Sequence, residues 1–61
     1  MNLKERREKL GLKVVDVAKL VGVSTVSIWN YENGGYKPKY PTNKKLATLY
    51  GCTVEDIMEG D

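Results

Sequence analysis

The chain has 61 residues, of which 41% are hydrophobic, so we expect one small folded domain over residues 1–61 and exclude a disordered chain. No apolar run approaches the roughly 18 residues of a membrane span, and no apolar core of a signal peptide follows Met1, so we expect a cytoplasmic protein with no membrane partner. With no histidine and the single cysteine Cys52, the sequence favours neither an enzyme nor a metal or cofactor site, and we expect no small-molecule ligand.

The net charge of +2 is distributed unevenly along the chain. Residues 1–45 hold all ten Lys and Arg residues against four acidic ones, a net +6, whereas residues 46–61 hold four acidic residues and no base, a net −4. A basic part with an acidic end is typical of a protein that binds a polyanion at one face. A solvated surface of mixed charge would explain the same distribution.

Capping and periodicity signals predict two helices before residue 22. Asn2 can cap the first helix, with Glu5 completing a capping box, and Gly11 can end it in a left-handed turn. The second helix runs from about Lys13 to Val21, because its apolar residues recur at helical spacing. Its valines would also suit a strand, but the flanking glycines favour a helix.

The next segment predicts a turn, a third helix and a loop. The Gly-Val-Ser sequence at 22–24 is typical of a tight turn that ends in an N-cap residue, Ser24. The third helix runs from Thr25 to about Asn33, where two glycines stop it. Two prolines then predict a loop over residues 36–41.

Two further short helices complete the prediction of an all-α fold with five helices. Thr42 is expected to cap the fourth helix, which Gly51 ends, and Thr53 with Asp56 is expected to cap the fifth. The apolar faces of these helices would form the core. The residues expected to be buried are Val17, Ala18, Val21, Val23, Ile28, Tyr31, Leu46 and Ile57.

The residues left on the outer face of the third helix have the chemistry that reads bases in the major groove. Asparagine can pair bidentately with adenine, hydroxyls bond to several base edges, and valine can contact a thymine methyl group. The predicted base-reading residues are Thr25, Val26, Trp29 and Asn30, of which Trp29 is expected to be partly packed with one edge towards DNA. The residues expected to contact the DNA backbone are Lys13, Ser24, Asn33, Lys37 and Lys39.

Residues 12–34 resemble the helix-turn-helix of phage Cro proteins and repressors, the Xre family. The resemblance lies in the block from Asp16 to Ser24, in the Ser-Ile pair at 27–28 and in the Tyr-Glu-Asn-Gly sequence at 31–34. The tail from residue 50 to residue 58 is similar too, so that the resemblance covers roughly residues 3–58.

This resemblance implies a compact, lambda-repressor-like DNA-binding domain whose helix-turn-helix is formed by the second and third helices. A recognition helix at about residues 25–33 would lie in the major groove, and a homodimer would bind paired half-sites about 34 Å apart on a double-stranded operator. The resemblance also implies an ion pair between Arg7 and Glu32 that braces the first helix against the third.

The sequence departs from the family pattern at three places. Lys13 begins the second helix where the family usually has Thr or Ser, so a side-chain cap is lost, although a lysine there adds charge for a phosphate. Trp29 stands where many relatives have a polar residue. Asn43 occupies a position that is often apolar, and Tyr40 is expected to fill that space instead.

The sequence therefore predicts a small transcriptional regulator of the repressor type, which acts by occupying an operator. Two alternatives remain open at this point. The chain could be the antitoxin of a toxin–antitoxin pair, with its acidic end on a basic toxin, or a protein-interaction module of the same fold, which Val14 and Trp29 would favour. A DNA-binding domain differs from an interaction module in that its affinity for duplex DNA falls steeply with salt.

Overall fold

A computed structural model describes residues 1–59 of the chain, and this part is all-helical, as the sequence predicts. The helices are α1 (Leu3–Lys9), α2 (Val14–Val21), α3 (Thr25–Glu32), α4 (Thr42–Tyr50) and α5 (Val54–Glu59). Among these residues, no helix combines the length and the apolar character that crossing a membrane would require.

Most of the predicted helix boundaries are confirmed because local capping determines them. The Glu5 N–H donates to Asn2 Oδ1 at 2.8 Å and the Asn2 N–H donates back to Glu5 Oε1 at 3.0 Å, which is a complete capping box. The same exchange between Thr53 and Asp56 starts α5, at 3.1 and 3.2 Å. The hydrogen bonds from Thr53, chiefly from its backbone N–H, hold the pKa of Asp56 below its usual range.

The start of α4 differs from the prediction that Thr42 caps it. Pro41 is the N-cap residue, with no side-chain hydrogen bond, and its carbonyl already accepts from the Lys45 N–H at 3.0 Å. Helical hydrogen bonding thus begins one residue earlier than the sequence indicates. Thr42 lies inside the first turn, where its hydroxyl is past the capping position.

The core lies where α1 to α5 meet, and α2 packs on α3 while α4 packs on α5. Its buried apolar residues are Leu3, Val17, Ala18, Val21, Ile28, Leu46, Ala47 and Ile57. The prediction was wrong in placing Val23 and Tyr31 fully inside. Both are only partly buried against this core, because Val23 lies in the turn between two helices and Tyr31 faces the loop after α3.

The expectation that Tyr40 fills the space beside α4 is also wrong. Tyr40 is 78% exposed, whereas Asn43 is itself buried at 9% exposure and donates from Nδ2 to the Met58 sulfur at 3.7 Å. Pro38, from the same loop as Tyr40, is among the fully buried side chains. The loop therefore buries a proline and leaves its tyrosine exposed, and α4 buries the amide of Asn43.

Candidate nucleic-acid interface

The turn between α2 and α3 fixes the direction in which α3 leaves the core. Gly22 has a φ of 78°, in the left-handed region that glycine adopts without strain, and its N–H donates to the Ala18 carbonyl at 2.9 Å. Ser24 then caps α3, accepting the Ser27 N–H on its Oγ at 3.1 Å. Ile28, buried in the core, anchors the inner side of the helix, so its opposite side faces outwards.

The four predicted base-reading residues share that outer side of α3. Val26 is 66% exposed and Trp29 is 61% exposed, so the tryptophan is only partly packed. Together with Thr25 and Asn30 they line one open cleft of about 160 Å³. An apolar methyl surface, a hydroxyl and an amide are thus presented side by side, none of them buried in the core.

Asn30 differs from its neighbours because its amide has a partner in the chain. Its Nδ2 donates to the Tyr36 hydroxyl at 3.3 Å, and its backbone carbonyl accepts the Gly35 N–H at 2.8 Å. Tyr36 belongs to the loop that follows α3 and was not among the predicted site residues. The signal that could have indicated it is the pair of glycines at 34–35, which turn the chain back towards α3.

The five predicted backbone-contacting residues fall into two groups. Lys37 and Lys39 are exposed and line one cleft of about 430 Å³. Tyr36 and Tyr40 also line this cleft. Lys13 is exposed at the start of α2, where its backbone N–H donates to Asp16 Oδ2 at 2.9 Å and no side chain caps the helix.

The remaining two of these residues make hydrogen bonds at the ends of α3. Ser24 uses its hydroxyl to cap the N-terminus. Asn33, at the C-terminus, donates from Nδ2 to the Trp29 carbonyl at 2.7 Å. Both side chains therefore already form a hydrogen bond at an end of α3. A DNA contact from either would use its remaining donors or acceptors.

The structure brings together Arg7 and Glu32, which are 25 residues apart in sequence. Arg7 Nε lies 2.6 Å from Glu32 Oε2, and Nη2 donates to Oε1 at 3.1 Å, which is a bidentate pair. Arg7 Nη1 also donates to the Leu12 carbonyl at 2.9 Å. The hydrogen bond that Arg7 donates to Glu32 raises the pKa of Arg7, and the pair ties α1 to the last turn of α3.

Within residues 1–59 there is no group of three or more His, Cys, Asp or Glu side chains that could hold a metal ion. The clefts beside α3 are lined instead by aromatic, hydroxyl, amide and lysine groups. The hydroxyl and amide groups can form hydrogen bonds with a polyanion, and the positively charged lysines can attract it.

Comparison of the sequence with known proteins also identifies a helix-turn-helix domain. The profile of the family described as "Helix-turn-helix domain" matches residues 1–59. The chain is 36% identical over 58 residues to the HTH-type transcriptional regulator DdrOP3 of Deinococcus deserti, covering 95% of this chain and 45% of that protein.

Archaeal proteins are similar as well. Over 52 residues the chain is 41% identical to proteins of Saccharolobus islandicus and Saccharolobus solfataricus whose names describe HTH-type transcriptional regulatory proteins. These alignments cover 85% of this chain and 17% of each relative. The chain thus spans less than half the length of each of these curated relatives.

Proposed function

Because the chain belongs to the family of helix-turn-helix domains, we propose that it binds a specific sequence of double-stranded DNA and thereby regulates transcription. In this proposal α3 enters the major groove and a homodimer occupies the operator as a repressor. The chain acts by occupying DNA and catalyses no reaction. The names of its relatives, which describe transcriptional regulators, support this class of function.

The observation that carries the proposal is the exposed face of α3. Trp29 and Val26 are large and apolar, yet both remain mostly exposed to solvent. They lie on the side of α3 opposite to the core. The amide of Asn30 and the hydroxyl of Thr25 lie in the same cleft. Hydrogen-bonding groups mixed with apolar groups match the edges of base pairs, which present donors, acceptors and thymine methyls.

The lysines beside α3 support the same orientation on DNA. Lys37 and Lys39 line a cleft together with Tyr31 of α3, so both lie beside the helix that is proposed to enter the groove. We propose that they and Lys13 bind phosphates and that Ser24 and Asn33 add polar contacts at the two ends of α3. Such contacts fix the position of the protein on DNA and carry no sequence information themselves.

The proposal is tested by selecting bound sequences from random duplexes and then measuring two variants on the selected site. Asn30→Ala should lose about 1–3 kcal/mol of binding free energy on the preferred site and relax the preference at one base pair. Val26→Ser should weaken the preference for a thymine-bearing position. Thr48→Ala, at an exposed position on α4, is the matched control and should leave both properties unchanged.

Equal binding of the Asn30 and Val26 variants to the selected and to shuffled sites would contradict the assignment of α3 as the reading helix. The exposed Trp29 and Val26 favour one other candidate, a surface that binds another protein. Little affinity for any duplex, even at low salt, would support that candidate over DNA binding.

A further inference from the structure

We infer that Tyr36 is a positioning residue for base recognition, because its hydroxyl holds the Asn30 amide in the orientation that reads a base. The inference rests on the proposed function and extends it to a residue outside the recognition helix. Tyr36 would contact no base itself and would act through Asn30.

The loop after α3 brings the tyrosine back beside the helix it has just left. Gly34, with a φ of 77°, turns the chain, and the Gly35 N–H donates to the Asn30 carbonyl at 2.8 Å. Tyr36 follows directly, and its hydroxyl accepts from Asn30 Nδ2 at 3.3 Å. This places the hydroxyl next to the one predicted base-reading amide.

The Tyr36 side chain is 53% exposed, and the packing contact that positions its hydroxyl is with the Tyr31 ring. Its ring meets the Tyr31 ring edge to face, with the ring centres 5.5 Å apart and the planes at 87°. Tyr31 is itself partly buried against the core. The hydroxyl is therefore held relative to α3 through an aromatic contact that does not depend on the hydroxyl.

Gly35 lies beside the Asn30 side chain. A Cβ added to Gly35 would lie 3.4 Å from both Cβ and the carbonyl oxygen of Asn30, and 3.5 Å from its Oδ1. These are ordinary van der Waals distances, so the loop passes directly beside Asn30 at this residue. The Asn30 side chain thus has Gly35 as a neighbour, and its Nδ2 is bonded to the Tyr36 hydroxyl.

The hydrogen bond to Tyr36 leaves the amide able to read adenine. An asparagine amide has two N–H groups and one oxygen, and the bidentate pairing with adenine uses one N–H and the oxygen. If Tyr36 accepts the N–H that points away from Oδ1, the other N–H and Oδ1 remain for the base. Because the amide is already oriented, less rotational freedom is lost when it binds.

The test uses Tyr36→Phe, which removes the hydroxyl and keeps the ring against Tyr31. The affinities of the wild type and the variant are measured for the selected operator, for operators with single base-pair changes, and for random duplex. We expect discrimination at the base pair read by Asn30 to fall roughly three- to tenfold, the loss expected for one hydrogen bond. Discrimination at the other positions and affinity for random duplex should change less than about twofold.

Two comparisons show whether the effect passes through Asn30. Adding Tyr36→Phe to Asn30→Ala should cause no further loss of discrimination, because the amide it positions is gone. Tyr40→Phe is the matched control, since Tyr40 lies in the same loop and is exposed, and it should leave discrimination unchanged.

Several results would overturn the inference. Discrimination by Tyr36→Phe equal to that of the wild type would show that the hydroxyl does not position Asn30. An even loss at all base pairs would indicate a general effect on folding, and tighter binding would mean that Tyr36 holds the amide away from DNA. A wild-type chain that selects no sequence would instead contradict the proposed function, and the inference with it.

Discussion

Tyr50 lies at the end of α4, packed against the core near the ion pair of Arg7 and Glu32. Burial of its hydroxyl, which disfavours the phenolate, raises its pKa from about 10 to about 12. The charge of Glu32 adds to this rise, and the charge of Arg7 opposes it. The folded chain therefore holds the Tyr50 proton more tightly than the unfolded chain does.

This difference predicts how stability depends on alkaline pH. Because the pKa of Tyr50 is raised in the folded state, its contribution is fully present below pH 10 and is lost as the pH rises through about 12. We expect the free energy of unfolding, measured by urea denaturation, to fall over that range. The decline should be shallower in Tyr50→Phe, and an identical decline in the variant would contradict the assignment. Tyr31, whose pKa burial also raises, is present in both proteins and does not affect the comparison.

Single residues show which contacts a sequence can indicate. The 25-residue separation of Arg7 and Glu32 offers no local signal, so this contact was predicted only from the resemblance to a known family. Asn43 and Pro38 were missed because their burial depends on how the loop before α4 packs, which no local pattern encodes. Tyr36 was missed for the same reason, since it reaches Asn30 only after the chain turns back.

At the scale of elements, the sequence predicts to within one residue where each helix with a side-chain cap begins. Asn2, Ser24 and Thr53 each cap a helix through contacts only three residues away, which the sequence shows directly. The start of α4 was misplaced because Pro41, not a capping side chain, begins it. Helix positions were thus predictable wherever the interactions that determine them are local.

The residue at the start of α2 affects both the stability of the fold and the charge available for DNA binding. Lys13 occupies the N-cap position without a side-chain hydrogen bond, and the Asp16 N–H, which a serine hydroxyl there could accept, donates instead to the Lys13 carbonyl at 3.0 Å. Lysine at this place supplies the positive charge that we propose for a phosphate contact. Replacing Lys13 with a capping residue should therefore change stability and DNA binding in opposite directions.

We expect Lys13→Ser to stabilise the fold and to weaken DNA binding. A serine cap should raise the free energy of unfolding by about 0.5–2 kcal/mol. Loss of one phosphate contact should weaken binding to all sequences alike and reduce the slope of log affinity against log salt by about 1.

Lys13→Ala separates the two effects, because it removes the charge without supplying a cap. It should weaken DNA binding as much as Lys13→Ser does and leave the fold no more stable than the wild type. A serine variant that kept the wild-type salt slope would show that Lys13 does not touch a phosphate. A change in sequence preference would indicate that it contacts a base.

The size of the whole molecule limits how much DNA one copy can read. Residues 1–59 extend over 23 × 21 × 19 Å, and at about 3.4 Å per base pair the longest dimension covers roughly seven base pairs. In the proposed complex only the first turns of α3 would reach into the groove, so fewer pairs than that would be read directly. Exposed acidic residues on α5, Glu55 and Glu59, would be repelled by phosphates and therefore face away from DNA.

These dimensions leave room for two copies on one face of the duplex. The major groove returns to the same face after about 34 Å, which exceeds the 23 Å length of the domain, so two copies can lie side by side without overlap. A second copy would double the number of base pairs read. The few pairs that one copy reads are too few for useful specificity. We expect selection from random duplexes to yield paired half-sites related by twofold symmetry, with centres about 10 base pairs apart.

Changing the half-site spacing tests this geometry. Inserting about five base pairs rotates one half-site by half a turn to the opposite face of the duplex, so the two copies should no longer contact each other there. The affinity for the altered operator should then fall to that of an isolated half-site, whereas moving the intact operator within a longer duplex should change nothing. A single asymmetric site in the selection, or equal affinity at both spacings, would mean that each copy binds alone, because independent domains do not sense the phase between their sites.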